Sequence, residues 1–132
     1  MALIVVGFAM LVQTAGYAKP KAPYQEFNLT VQQPWLNAIM NGTKNVEGRL
    51  DRGVFSQMKE GDFILWNSLC LVQVTFVAHY VSILEMIIEE GLKHVLPGVN
   101  SLDKALAIYN AFYPGHTTDT PALGIGMELV QN

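Results

Sequence analysis

The sequence predicts an α+β domain: a small, mainly antiparallel, curved or closed β-sheet flanked by helices. Three observations lead there. The apolar runs at residues 63–66 and 71–80 lie too close together for a helical crossover, so they pair antiparallel. Helical and alternating periodicities occur in the order β-α-β-β-β-α-α-β, with strands grouped in the middle. No dinucleotide or phosphate-loop glycine motif is present, so a parallel nucleotide-binding sheet is not indicated.

Each element has its own signal. Residues 27–31 alternate apolar and polar, as a half-buried strand does. Pro34 suits a first helical turn, and Trp35, Leu36, Ile39 and Met40 form an apolar stripe that Asn41-Gly42 ends. A charged strand follows up to Leu50, broken by Asp51-Arg52-Gly53. Lys59-Glu60-Gly61-Asp62 reads as a turn, and Asn67-Ser68 as the bend of the hairpin. Ser82 with Glu85 three residues later marks the start of a helix over residues 82–90, closed by Gly91. After a turn at Pro97-Gly98, Ser101 opens another helix with Leu102, Leu106, Tyr109 and Phe112 on its core face. Pro114-Gly115 ends it, and the polar loop 116–121 leads to a last strand over residues 123–130.

Composition sets the outer bounds. A chain of 132 residues, 51% of them hydrophobic, supports one domain with a real core. The net charge of -3 argues against coating nucleic acid by bulk attraction and leaves a local basic cleft open. The single Cys70 sits in an apolar run and reads as a buried thiol, and no Cys/His cluster has zinc spacing. No metal or cofactor is therefore implied. Residues 1–24 read as an apolar segment and linker, and residues 25–132 as the domain. The apolar stretch, with small residues Gly16 and Ala18 before Lys19-Pro20, has the shape of a signal peptide without its basic start. It is short for a membrane span, and Asn41-Gly42-Thr43 would place a glycan within the charged motif. A cytoplasmic location is the expectation, with secretion as the alternative.

The charged strand is the densest signal. Gly42-Thr43-Lys44-Asn45-Val46-Glu47-Gly48-Arg49-Leu50 gathers three charges in a chain only 14% charged. Asn45, Glu47 and Arg49 share one face of an extended strand, and Val46 and Leu50 the other. Such a strand anchors in a core and presents charge to a cleft; a solvated edge with a weak Glu47–Arg49 pair is the plain alternative. His116 and Asp119 share a loop that reads as surface, as do His79, His94 and Glu89-Glu90. No Ser/His/Asp or Cys/His arrangement is present in the pattern.

Taken together, Trp35-x3-Ile39-x2-Gly42-x-Lys44-x-Val46-Glu47-x-Arg49, then Gly61-Asp62, the helix at 82–91 and Tyr109-x3-Tyr113-Pro114, resemble the ASCH (activating-signal-cointegrator homology) family. The resemblance implies a PUA-like fold, a small β-barrel flanked by helices, and an RNA-related role. It implies a cleft that binds RNA or a nucleotide-like ligand, lined by Lys44, Glu47, Arg49, Trp35 and Tyr113. Lys44 and Arg49 suit phosphate oxygens, and Glu47 a base amine or Arg49 itself. Trp35 and Tyr113 suit stacking on a splayed base, with a core role as the alternative for each.

Some small bacterial members are N4-acetylcytidine amidohydrolases, with a lysine and a threonine three residues later on this strand and a separate glutamate. Lys44 matches the lysine, Glu47 stands where the threonine would be, and Glu89 or Glu90 answers to the glutamate only through a gapped alignment. Other ASCH-like proteins are described as ribonucleases, for which Lys44 and Glu47 would be the catalytic pair, with Glu47 as base. A hydrolase is thus the first alternative, and a protein-interaction module the second.

Overall fold

The computed structural model describes residues 23–131. The apolar segment discussed above lies outside the described residues. The elements are β1 (Glu26–Leu29), α1 (Trp35–Met40), β2 (Val46–Leu50), a 3-10 helix (Gly53–Gln57), β3 (Phe63–Trp66), β4 (Cys70–Tyr80), α2 (Ile83–Glu90), α3 (Leu92–Val95), α4 (Leu102–Phe112) and β5 (Ala122–Leu129).

Local chemistry fixes the joints. Asn67 and Ser68 both take positive φ, 54° and 57°, giving the turn whose twist suits a right-twisted hairpin between β3 and β4. Ser82 and Ser101 cap α2 and α4 by accepting from the N–H of Glu85 and Lys104. Gly91 ends α2 at φ 95°, and the chain turns at once into α3, a short helix that the sequence pattern does not separate from its neighbour.

The strands form one curled sheet in the order β1-β3-β4-β5-β2. The β3–β4, β4–β5 and β5–β2 pairs are antiparallel, with a bulge between Val74 and Phe76 on β4. The β1–β3 pair is parallel, Glu26 opposite Phe63 through Leu29 opposite Trp66. That departs from a wholly antiparallel sheet because α1, β2 and the 3-10 helix supply a long connection between β1 and β3.

Two cores result. Leu36 and Ile39 of α1 pack with Ile64, Trp66, Val72, Val74, Leu123 and Ile125 on one face of the sheet. Val46 and Leu50 pack on the other face with Ile83, Met86, Ile87, Val95, Ala105 and Tyr109 from the helices. Phe112, expected on the core face of α4, is 45% exposed instead. It is the last residue of its helix, and Ala105 and Tyr109 hold the buried positions. Cys70 is buried, as its apolar run implies, and burial raises its thiol pKa.

Asp62, fully buried, ties the sheet together at the start of β3. Its carboxylate accepts from the N–H of Gln25 at 3.0 Å and of Lys59 at 3.0 Å, and from Lys59 Nζ at 2.8 Å. Burial pushes this carboxyl up, and those three bonds outweigh it, so it titrates below its ordinary value. Asp62→Ala strands both backbone donors and is expected to lower the unfolding free energy by about 1–3 kcal/mol, read from urea denaturation midpoints.

Candidate functional site

The outer strands β1 and β2 do not pair with each other, and the cleft lies where the sheet fails to close. Thr30, Val31 and Gln32, just past β1, form one wall, and Glu47, Gly48 and Arg49 of β2 form the opposite one. Arg49 spans the gap, Nη2 donating to Thr30 O at 3.1 Å. Asn67 fixes the first wall by accepting from Val31 N at 2.9 Å and donating to Val31 O at 3.2 Å. The cleft encloses about 500 Å³ and is walled further by Trp35, Leu96, Ile108, Tyr109, Phe112 and Tyr113.

Beneath it lies a charge triad. Lys44 is 2% and Glu47 4% exposed. Glu47 Oε1 meets Lys44 Nζ at 3.0 Å, and Oε2 accepts from Arg49 Nε at 2.8 Å. The ammonium also donates to Val46 O at 2.8 Å and to Val95 O, so all three of its N–H groups have partners inside the protein. Burial lowers the Lys44 pKa. Burial alone would raise the Glu47 carboxyl, and the charges of Lys44 and Arg49 outweigh it and hold it below its usual value. Despite burial, the Glu47 charge raises the Arg49 pKa.

Glu47 and Arg49 turn toward the cleft while Val46 and Leu50 enter the helical core; Asn45, expected on the face of Glu47 and Arg49, precedes the strand and its amide oxygen meets His94 Nδ1 at 3.0 Å instead. Lys44 also lines the cleft, but its ammonium is not placed for the phosphate role expected of it. It precedes β2, and its ammonium is buried against Val95 O of α3, with no N–H left for a phosphate oxygen. Arg49 also lies over Phe55 and Trp66, 4.7 and 5.5 Å from the ring centres. Arg52 sits 5.5 Å from the Tyr113 ring centre. Trp35 and Tyr113 divide their area between the helical core and the cleft.

Among the cleft residues that the sequence pattern does not single out are Thr30, Asn67, Leu96 and Ile108 and, at the floor, Gly48 and Tyr109. A Cβ on Gly48 would lie 2.6 Å from Tyr109 Oη, so a glycine lets the phenol come up under the strand. The Gly-Arg step inside the motif was the available signal. Neither Glu89 nor Glu90 lines the cleft; Glu90 accepts from Tyr80 O–H instead. His116 pairs with Asp119 at 3.5 Å on the exposed loop, and His79 with Asp51 at 3.6 Å. Among the described residues no group of three or more His, Cys, Asp or Glu side chains could hold a metal, and no helix is long and apolar enough to cross a membrane.

A half-barrel capped by helices, with a cleft at its open edge over a Lys-Glu-Arg triad, defines a PUA-like domain. The sequence model of the ASCH domain matches residues 29–122, and the chain belongs to the ASCH family. The hypothetical protein PH0355 shares its structure at TM-score 0.75 and 30% identity, over 80% of this chain and 100% of that one. Protein PF0455 from Pyrococcus furiosus is similar at TM-score 0.67 and 30% identity, over 82% of this chain and 100% of its own. The ASCH domain from Lactobacillus crispatus JV V101 shares the fold at TM-score 0.62 and 14% identity, with 80% of each chain covered. No curated protein matches the chain.

Glu47→Gln leaves the buried Lys44 and the half-buried Arg49 without their counter-charge. It is expected to cost about 3–5 kcal/mol of stability, measured by chemical denaturation. The pH dependence has a definite sign. Glu47 and Asp62 both titrate below their ordinary values when folded. Their contribution is complete above the unfolded carboxyl range, about pH 4, and is lost as pH falls through the lower folded values. Urea midpoints are expected to hold steady from about pH 7 to 5 and to drop steeply below about pH 4, less steeply in Asp62→Asn.

Proposed function

We propose that the cleft binds RNA by taking in one unpaired nucleotide. The observation that carries this is the combination of aromatic walls and leftover positive charge at one opening. Trp35, Phe112 and Tyr113 offer faces on which a splayed base can stack, worth about 1–3 kcal/mol per base. Arg52, over Tyr113 at the rim, is placed for a backbone phosphate. A volume of about 500 Å³ suits a single nucleoside rather than a duplex. Membership of a family with an RNA-related role supports the same reading.

Binding rather than turnover fits the triad. Glu47, held low by two cations, is a poor base near neutral pH, and both its oxygens are engaged. Lys44 donates all three of its hydrogens to protein acceptors and has no lone pair for attack. Within the triad both therefore position Arg49 and β2.

Fluorescence anisotropy of a short labelled single-stranded RNA, followed over time at low and physiological salt, tests the reading. Binding is expected to weaken as salt rises, and by about 1–3 kcal/mol in Tyr113→Ala. No binding at either salt would overturn it and leave a protein partner as the next candidate. A signal that decays with time would replace it with a ribonuclease.

A further inference from the structure

Tyr109 is 5% exposed, yet it is part of the cleft wall, with its oxygen against Gly48. Its O–H donates to no acceptor among the described residues, which is unusual for a buried hydroxyl in the middle of a helix-to-sheet contact. Burial, then the charge of Glu47, raises its pKa well above the ordinary value, so the phenol keeps its proton. Arg49 is engaged through Nε and Nη2, and its Nη1 has no partner among the described residues. The floor of the cleft thus holds two donors.

Its carboxylate and most of its carbonyls are occupied; Gly48 O, turned away from β5, is a neutral acceptor left over. Both Glu47 oxygens face cations, Lys44 takes Val46 O and Val95 O, and Arg49 takes Thr30 O. Asn67 Oδ1 and Val31 O are bound to each other's N–H groups, and Gln32 O receives Trp35 and Leu36. A ligand amine reaching the floor would find no free carboxylate; a ligand oxygen would find a phenol and a guanidinium. The oxygen is better a base carbonyl than a phosphate, since two donors among Trp35, Leu96 and Ile108 replace little of the hydration of an anionic phosphodiester. The rim cation Arg52 lies outside for that charge.

We infer that the cleft floor reads an oxo group of the inserted base through Tyr109 O–H and Arg49 Nη1. It therefore prefers uracil over cytosine and hypoxanthine over adenine, pairs that differ by an oxo group in place of an amine. This rests on the reading of the cleft as an RNA site.

The test measures anisotropy of four labelled tetranucleotides (uridine, cytidine, inosine and adenosine) with the whole chain and with Tyr109→Phe. The oxo member of each pair is expected to bind about tenfold tighter or better. Tyr109→Phe removes a donor that makes no internal bond; the one internal bond lost is the one the phenol oxygen accepts from Gly48 N–H. The substitution is expected to weaken the oxo members about three- to tenfold and leave the amine members unchanged, which is also the control for folding. Equal or tighter binding of the amine members, or an unaltered ratio in Tyr109→Phe, overturns the inference while the RNA reading stands. Failure of all four to bind overturns both.

Discussion

A buried carboxylate cannot stay ionised alone, and the placement of Glu47 organises everything around it. Taking one charge out of water costs several kcal/mol even after the protein relaxes, so the fold must bring cations to both oxygens. It does so from opposite directions. Lys44 arrives from the loop before β2 and Arg49 from two residues along the same strand. Each cation then needs partners of its own. Lys44 finds them in Val46 O and in Val95 O of α3, which fastens the helical layer to the edge of the sheet. Arg49 finds one in Thr30 O, which holds the two unpaired edges of the half-barrel at a fixed spacing. One carboxylate thereby sets the position of α3, of β2 and of the chain beyond β1.

The same network decides the chemistry left over. Because β2 is an edge strand, the side of its backbone turned away from β5 is available to the cleft, and Gly48 has no side chain to cover it. Tyr109 uses that space from α4, and Met86 fills it from α2. What reaches the opening is an aromatic surface, one free guanidinium edge and a phenol. That is a recognition surface of low charge, consistent with a chain whose net charge is -3 and whose attraction for a polyanion must be local.

Much of the framework was legible because it is local. Ser82 and Ser101 sit one residue ahead of periodic apolar runs, Gly91 follows one, and Asn67-Ser68 joins two strands; each feature acts within a few residues of itself. The parallel β1–β3 pair was not legible, because it depends on where a connection of more than a strand's length returns, and periodicity carries no such information. That the Lys44 ammonium turns into the protein, although the residue lines the cleft, escapes the pattern for a related reason. Strand alternation describes Val46 to Leu50 well, but Lys44 lies before the first paired residue and points by the path of a loop. Helical periodicity places Tyr109 in the core, where its ring does lie; that its hydroxyl emerges beside Gly48 is a matter of packing between two elements distant in sequence. Trp35 and Tyr113 illustrate the limit of the choice between core and cleft, since each is both.

A motif can be shared while its chemistry differs, and position 47 shows how. A small hydroxyl there could serve as a nucleophile beside a lysine. A glutamate instead engages that lysine, because an ionised carboxylate in this buried place has a stronger claim on the ammonium than any passing ligand. The lysine is then engaged by three acceptors, while two cations hold the carboxyl below its usual range, so each group is committed to the other rather than to a ligand. Two of the three charges most conspicuous in the sequence, Lys44 and Glu47, are therefore committed to architecture. What is left unengaged is one edge of Arg49 and the Tyr109 phenol, of which a motif written in charged residues names only the first.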